Sequence, residues 1–267
     1  MTASLFALSW LGGAAERNFR RRRPGIDDLP WGTLDVSAVP PVLLDRARLA
    51  WTDGCFVEYA TAAQLAHIVE GLLRVRAPID LVGMAGDFVA DEMVHVELHA
   101  RVLAELGGAV PYRVDDALLA PRDEGERPML ALAAELVRTC CVGETLAVPL
   151  LAATRNVATH PLIQAVLGRV VEDEGPHAQL GWLFLEWAEL TDADLVFLAG
   201  VARAELSQAR RLVGVPRSVV CNGVTTEGFE VATVHALGWL DSEAWVPTAD
   251  AAVEQITARL ARHGIEV

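Results

Sequence analysis

The chain has 267 residues, of which 52% are hydrophobic but only 6% aromatic, and a formal net charge of −14. That length suits one large domain or a domain with extensions, and the charge argues against a nucleic-acid groove or an anionic membrane surface. A core drawn from Ala, Leu and Val suits close-packed helices, so the expected fold class is all-α.

Residues 1–40 are rich in Arg, Pro and Gly and read as an N-terminal arm with a short helix at its start. An apolar stretch, Leu5 to Leu11, precedes the run Arg20 to Arg23, the reverse of a secretory signal. The arginine run is expected to pair with acidic groups elsewhere in the chain, an anion or partner site being the alternative. No stretch of about 20 apolar residues stands out as a membrane span. The four cysteines, at 55, 140, 141 and 221, fit no zinc spacing, and adjacent Cys140 and Cys141 are badly placed to bridge each other. A reduced, cytoplasmic protein is the simplest reading.

The first long helix is expected to begin between Pro41 and Thr52, run to Arg76 and be closed by Pro78. Its inner stripe is Cys55, Glu58, Ala62, Leu65 and Val69. A second helix, Ile79 to Leu106, ends at Gly107-Gly108 and carries Phe88, Glu92, His95, Val96 and His99 on one face. Glu97 falls off that face and is expected in solvent. Residues 109–127, with several Pro and Asp, form a long connection. The third helix spans Pro128 to Asn156 and turns Cys140, Cys141, Glu144 and Val148 inward, with Pro149 predicting a kink. The fourth runs from Thr159-His160-Pro161 to Leu190 and contains Gly175-Pro176, which predicts a π-bulge or kink there and puts His177 at risk of displacement. A fifth helix follows from Thr191 to Val213. Residues 214–248 read as packed apolar loops, a lid over the bundle end being the alternative. A last helix is expected over Pro247 to His263, capped near Thr248 or Asp250. The domain plan is an arm (1–40), a helical bundle (41–190) and a helical extension packed on it (191–267).

Two strings stand out: Asp91-Glu92-Met93-Val94-His95 and Asp173-Glu174-Gly175-Pro176-His177. Each holds Asp-Glu-x-x-His, and residues three apart on a helix share a face. Each string therefore aims one carboxylate and one imidazole at a common point. A lone glutamate precedes each: Glu58 lies 34 residues before Glu92, and Glu144 lies 30 before Glu174. Burying Glu58 among Phe56, Val57 and Ala60 without a partner would cost several kcal/mol. A metal removes that cost. Four Glu and two His are a donor set suited to two iron or manganese ions. Glu58 with Glu174, or Glu92 with Glu144, would bridge or cap; the pattern leaves that open.

This arrangement resembles the ferritin-like di-iron carboxylate superfamily over roughly residues 45–190. The resemblance implies a ferritin-like four-helix bundle with one long crossover between helices two and three. It implies Glu58, Glu92, His95, Glu144, Glu174 and His177 as metal ligands, with two Fe as cofactor and Mn as the alternative. It also implies that Asp91 and Asp173 each hydrogen-bond the opposite histidine. The strings around Cys140 to Thr145 and Asp173 to Trp182 resemble small bacterial members without an assigned reaction. N-oxygenases of the superfamily have an extra His where this chain has Val170. His99, one turn past His95, is read as an outer partner of the ligands rather than a seventh one.

By helical spacing, Cys55, Thr61, Ala62, Phe88, Cys140, Cys141, Val148 and Ala178 lie nearest the ligands and would line a small apolar pocket. The leading expectation is a di-iron, O2-activating oxidase or oxygenase of a small organic substrate. Oxygen activation is assigned to the metal pair, with no separate catalytic side chain. No ferredoxin or rubredoxin segment is present, so the resemblance implies an external electron donor; a homodimer is among the assemblies it allows. A ferroxidase or peroxide-reducing protein is the first alternative, a non-catalytic metal-stabilised binding bundle the second.

Overall fold

Prolines set the limits of the first two long helices in the computed structural model, which describes residues 3–122, 127–213 and 228–267. Helix α2 covers Pro41–Arg74, with proline in the first turn, where its missing N–H leaves no bond unmade. Arg76 takes a left-handed conformation (φ 55°), and the chain reverses before Pro78. Helix α3, Ile79–Glu105, starts directly after that proline. It stops at Gly107, whose φ of 93° suits glycine, while the Gly108 amide donates to the Leu103 carbonyl at 2.7 Å. The α2–α3 pair is the most extensively packed helix pair among the described residues.

The third rod has three parts. Helix α4, Pro128–Leu136, passes into a π-helical segment, Val137–Glu144, and then into α5, Thr145–Val157. Helix α6, Pro161–Trp187, follows after a cap in which His160 Nδ1 accepts from the Leu162 amide at 3.2 Å. It packs against α5, the π segment and α3. Helix α7, Asp192–Val213, lies on α4 and the π segment, and α9, Ser242–Arg262, lies on α5 and α7. Among the described residues the fold is all-α apart from one short strand pair.

That pair ties down the arm. Strand β1, Ala3–Leu5, runs antiparallel to β2, Arg113–Asp115, in the long connection, with Ser4 opposite Val114. Helix α1, Gly13–Arg22, then lays Arg20 along α3. Arg20 Nη1 meets Glu97 Oε1 at 2.7 Å, and Arg101 Nη2 meets the same oxygen at 2.7 Å. Arg23 Nε meets Asp91 Oδ1 at 2.8 Å. The arginine run pairs with acid as expected. Glu97, however, is buried rather than solvated, because the arm covers its face of α3 and two guanidinium groups neutralise it.

Three further expectations are corrected. The π turns lie in the third rod, not at Gly175-Pro176, and α6 continues through both residues. Pro176 is exposed and nothing crowds Gly175, so the donor that proline lacks is lost on the solvent side of α6, where it costs least. The last helix begins at Ser242, five residues before Pro247, because the Asp241 carboxylate accepts from the Glu243 and Ala244 amides. Pro247 then falls in its second turn. Finally, residues 128–157 are long and apolar enough to cross a membrane by length and composition, with mean hydropathy 1.5 in their most apolar stretch. Here they pack as a core helix.

The segment 228–248 packs rather than hovers. Val231–Ala236 form helix α8, and Val234, Leu237 and Trp239 are buried with Trp51 and Ile163. Trp51 Nε1 donates to the Leu237 carbonyl at 2.9 Å. Gly238, with φ 85°, lies so close to the Trp51 ring that a Cβ there would stand 2.8 Å from it. Residues 214–227, including Cys221, and 123–126 lie outside the described residues.

Candidate metal centre

Four rods each deliver carboxylates to one buried point. Glu58 comes from α2, Glu92 and His95 from α3, Glu144 from the end of the π segment, and Glu174 and His177 from α6. Glu92, His95 and His177 are 0% exposed. The Glu58 side chain keeps 13% of its surface, so the cluster meets solvent on the α2 side. Pro176 does not displace His177.

The two imidazoles turn Nδ1 inward. His95 Nδ1 lies 3.5 Å from Glu92 Oε2 and 3.2 Å from Glu174 Oε1. His177 Nδ1 lies 3.0 Å from Glu92 Oε1 and 3.0 Å from Glu174 Oε2. Glu92 and Glu174 therefore each offer one oxygen to each imidazole, so these two carboxylates could bridge a pair of ions, a pairing the sequence pattern did not single out. Glu58 Oε2 stands 3.6 Å from His95 Nδ1, at one end. Glu144 groups with Glu174 and His177 at the other, and in each group the donor atoms lie within 4.8 Å of one another.

Both oxygens of Glu92, one of Glu174 and the inward nitrogens of both histidines are buried without a hydrogen-bond partner among the described residues. Each such group costs about 1–3 kcal/mol or more when charged. Two cations would satisfy all of them at once, and the hard carboxylates with one imidazole per ion suit iron or manganese. The electrostatics agree. Burial pushes the Glu58 carboxyl up to about 7 and the Glu144 carboxyl well above its usual range. Burial opposes charge on His177, yet Asp91, Glu174 and Glu92 outweigh it and raise the imidazole to about 11; His95 is likewise raised. Metal ligation needs neutral rings, so an ion held here would have to displace any proton on these imidazoles.

The outer nitrogens face aspartates crosswise. His95 Nε2 is 3.4 Å from Asp173 Oδ2, within hydrogen-bond reach, whereas His177 Nε2 faces Asp91 Oδ2 at 3.6 Å and makes no hydrogen bond among the described residues. Each aspartate is held in turn by an arginine: Arg169 Nε at 2.8 Å from Asp173 and Arg23 Nε at 2.8 Å from Asp91. The sequence reading missed Arg169, although it had a signal, four residues before Asp173 on the same helix. Arg23 belongs to the run expected to pair with acid, but that its partner is Asp91 was not foreseen, because it reaches α3 from the arm.

His99 Nδ1 donates to the His95 carbonyl at 2.9 Å, which leaves Nε2 bare and 3.8 Å from Glu58 Oε1. Its ring packs on Trp51 and over Gly54, whose Cβ, if present, would lie 3.0 Å away. Burial holds this ring neutral. His99 thus stands behind Glu58, away from the bridging pair.

The eight residues expected to line a pocket are mostly packing. Phe88 lies against the His177 ring, centroids 4.2 Å apart. Cys55 is buried with Sγ donating to the Val96 carbonyl at 3.5 Å. Cys140 and Cys141 are fully buried against Gly181. Ala62 is buried too, while Thr61, Val148 and Ala178 are half-buried. Two cavities, of about 320 and 220 Å³, lie elsewhere and are lined by none of the eight. Burial raises the Cys55 thiol to about 12 and the Cys140 and Cys141 thiols further, so none of the three is a nucleophile at neutral pH. No family model, curated protein or solved structure matches the chain.

Proposed function

We propose that this chain is a di-iron, O2-activating oxidase or oxygenase of a small organic substrate, built on a ferritin-like four-helix bundle. In this reading α2, α3, the 128–157 rod and α6 are the four helices, and the connection after α3 is the long crossover. The observation that carries it is the double engagement of Glu92 and Glu174, each with one oxygen toward each inward imidazole nitrogen. A carboxylate serving one ion has no need of that disposition. Two ferrous ions held by these six residues would supply electrons for O2 reduction, with an external reductant as their source.

The protein's own part is positional. Glu58 and Glu144 hold the ends, Asp173 and Asp91 fix which imidazole nitrogen faces inward, and the apolar packing excludes water. Glu58 marks the approach for reactants, since it alone of the six retains 13% side-chain exposure. A second reading, iron oxidation or peroxide reduction, is favoured by the tight packing of the expected pocket residues, which suits a small oxidant.

Metal content after chelator-free purification, then anaerobic Fe(II) loading and stopped-flow mixing with O2, tests both. Two irons per chain and a fast oxygen-dependent optical transient are expected. Acceleration or O2 uptake dependent on an organic substrate marks the first reading. Turnover of Fe(II) or peroxide alone marks the second. Absence of bound iron, with unchanged folding, overturns both and leaves a partner-binding bundle.

A further inference from the structure

The arm crosses α6 between Gly25 and Leu29 and forms one wall of the half-open cavity of about 320 Å³. Its apolar wall is Ile26, Leu29 and Ala165, and its polar wall is Arg155 and Arg169, with Glu172 also lining it. Gly168 lets Arg155 lie close on α6: a Cβ there would stand 3.1 Å from Arg155 Nε and push the side chain outward by a few tenths of an ångström. In a chain of net charge −14, Arg155 makes no hydrogen bond or ion pair among the described residues. Arg169 gives Nε to Asp173 at 2.8 Å and Nη1 to the Pro24 carbonyl at 3.5 Å, which leaves Nη2 uncommitted among the described residues.

We propose that this cavity binds a small organic carboxylate. The carboxylate meets the fork of Arg155 and the open end of Arg169, and the apolar body lies on Ile26, Leu29 and Ala165. A planar fork matches a carboxylate with two parallel bonds. The volume falls at the lower end of the roughly 300–1,000 Å³ range of ligand sites, which sets a small body. Glu172 is exposed, so its charge is screened by water, but it disfavours a second negative charge and hence inorganic phosphate. The cavity sits behind the metal centre. Arg169 holds Asp173, Asp173 faces the outer nitrogen of His95, and the inner nitrogen faces the carboxylates. The ligand is therefore a separate one, and the proposal stands whether or not the centre reacts with O2.

The test is calorimetric and ligand-observed NMR titration of the full chain with benzoate and with inorganic phosphate, before and after metal loading. Saturable binding of one benzoate per chain, with Kd of about millimolar or tighter, is expected. Arg155→Gln should weaken it about tenfold or more, since a charge-assisted pair is lost. Ala165→Leu, which fills the cavity and keeps both arginines, should also weaken it. Phosphate should not saturate. The proposal is overturned by unsaturable benzoate binding, by binding indifferent to both substitutions, or by phosphate competing on equal terms. Arg155 is exposed, so its replacement leaves the core intact, and a thermal melt confirms that.

Discussion

The two halves of the candidate centre carry the same donor residues on opposite packing. Four residues before Glu58 stands Gly54, and four residues before Glu144 stands Cys140. Four residues after His95 stands His99, and four after His177 stands Gly181. Gly54 receives the His99 ring, while Gly181 receives Cys140 and Cys141. Large meets small in both halves, but from opposite helices. The backbones differ as well: Glu58 sits in a plain α-helix and Glu144 closes a π segment. The groups that must face charge are repeated, whereas the packing beneath them is free to trade volume across the interface.

Glu174 belongs to both donor groups, whereas Glu58 and Glu144 each belong to one. Glu174→Ala should empty both sites by metal analysis, while Glu144→Ala should keep the ion beside His95 and Glu58→Ala the ion beside His177. Equal losses in all three would dissolve the division into bridging and end carboxylates.

The crosswise aspartates sharpen the comparison. Asp173→Asn should weaken the ion beside His95 by about 10–100-fold, and Asp91→Asn the ion beside His177 by a similar factor. Competition with a chelating dye reads both. Effects confined to each aspartate's own motif would break the crossed arrangement.

The glycines separate the halves by stability. Gly181→Ala would set a Cβ 2.6 Å from Cys141 Sγ and 3.0 Å from the Leu136 carbonyl, a backbone atom that yields little. A loss of about 1–3 kcal/mol, several degrees in Tm, is expected. Gly54→Ala meets only the His99 ring, and the gain in helix propensity offsets much of the strain. Its Tm should hardly move. A larger fall for Gly54→Ala would show that the His99 ring has no room to tilt.

The smallest effect lies in the extension, outside both halves. Hydrogen bonds from Arg127 and from Thr191 hold the Asp194 carboxyl down to about 2. A depressed carboxylate stabilises the fold above its unfolded value of about 3.9, and that contribution fades as pH falls toward 2. Asp194→Ala should lower Tm at pH 7, with the difference shrinking between about pH 4 and pH 2. A gap that persists at pH 2 would make the effect one of packing rather than charge.

Much of this was legible one residue at a time. The limits of α2, α3 and α6 follow from Pro41, Pro78, Gly107 and Pro161, because proline and glycine act on their own backbone. The six carboxylate and imidazole positions follow from three-residue spacing on helices, a local property. The crossed aspartates came from the family resemblance; each faces the opposite histidine, but only Asp173 is within hydrogen-bond reach of it. What failed were inferences about surroundings. Glu97 looked solvated because nothing in α3 announces that an arm will cover it. Gly175-Pro176 looked like a bulge because its freedom to face water depends on which side of α6 lies outside. The start of α9 was placed too late, since Pro247 is tolerated in its second turn once Asp241 caps the first.

By itself the sequence determined the helices and the donor set, since both depend on neighbours within one or two turns. Only the tertiary structure decided which carboxylates face both imidazoles, where the π turns fall, and that Arg23 crosses from the arm to Asp91. Those are contacts between rods, and their distances are set by how whole faces pack rather than by any local string of residues.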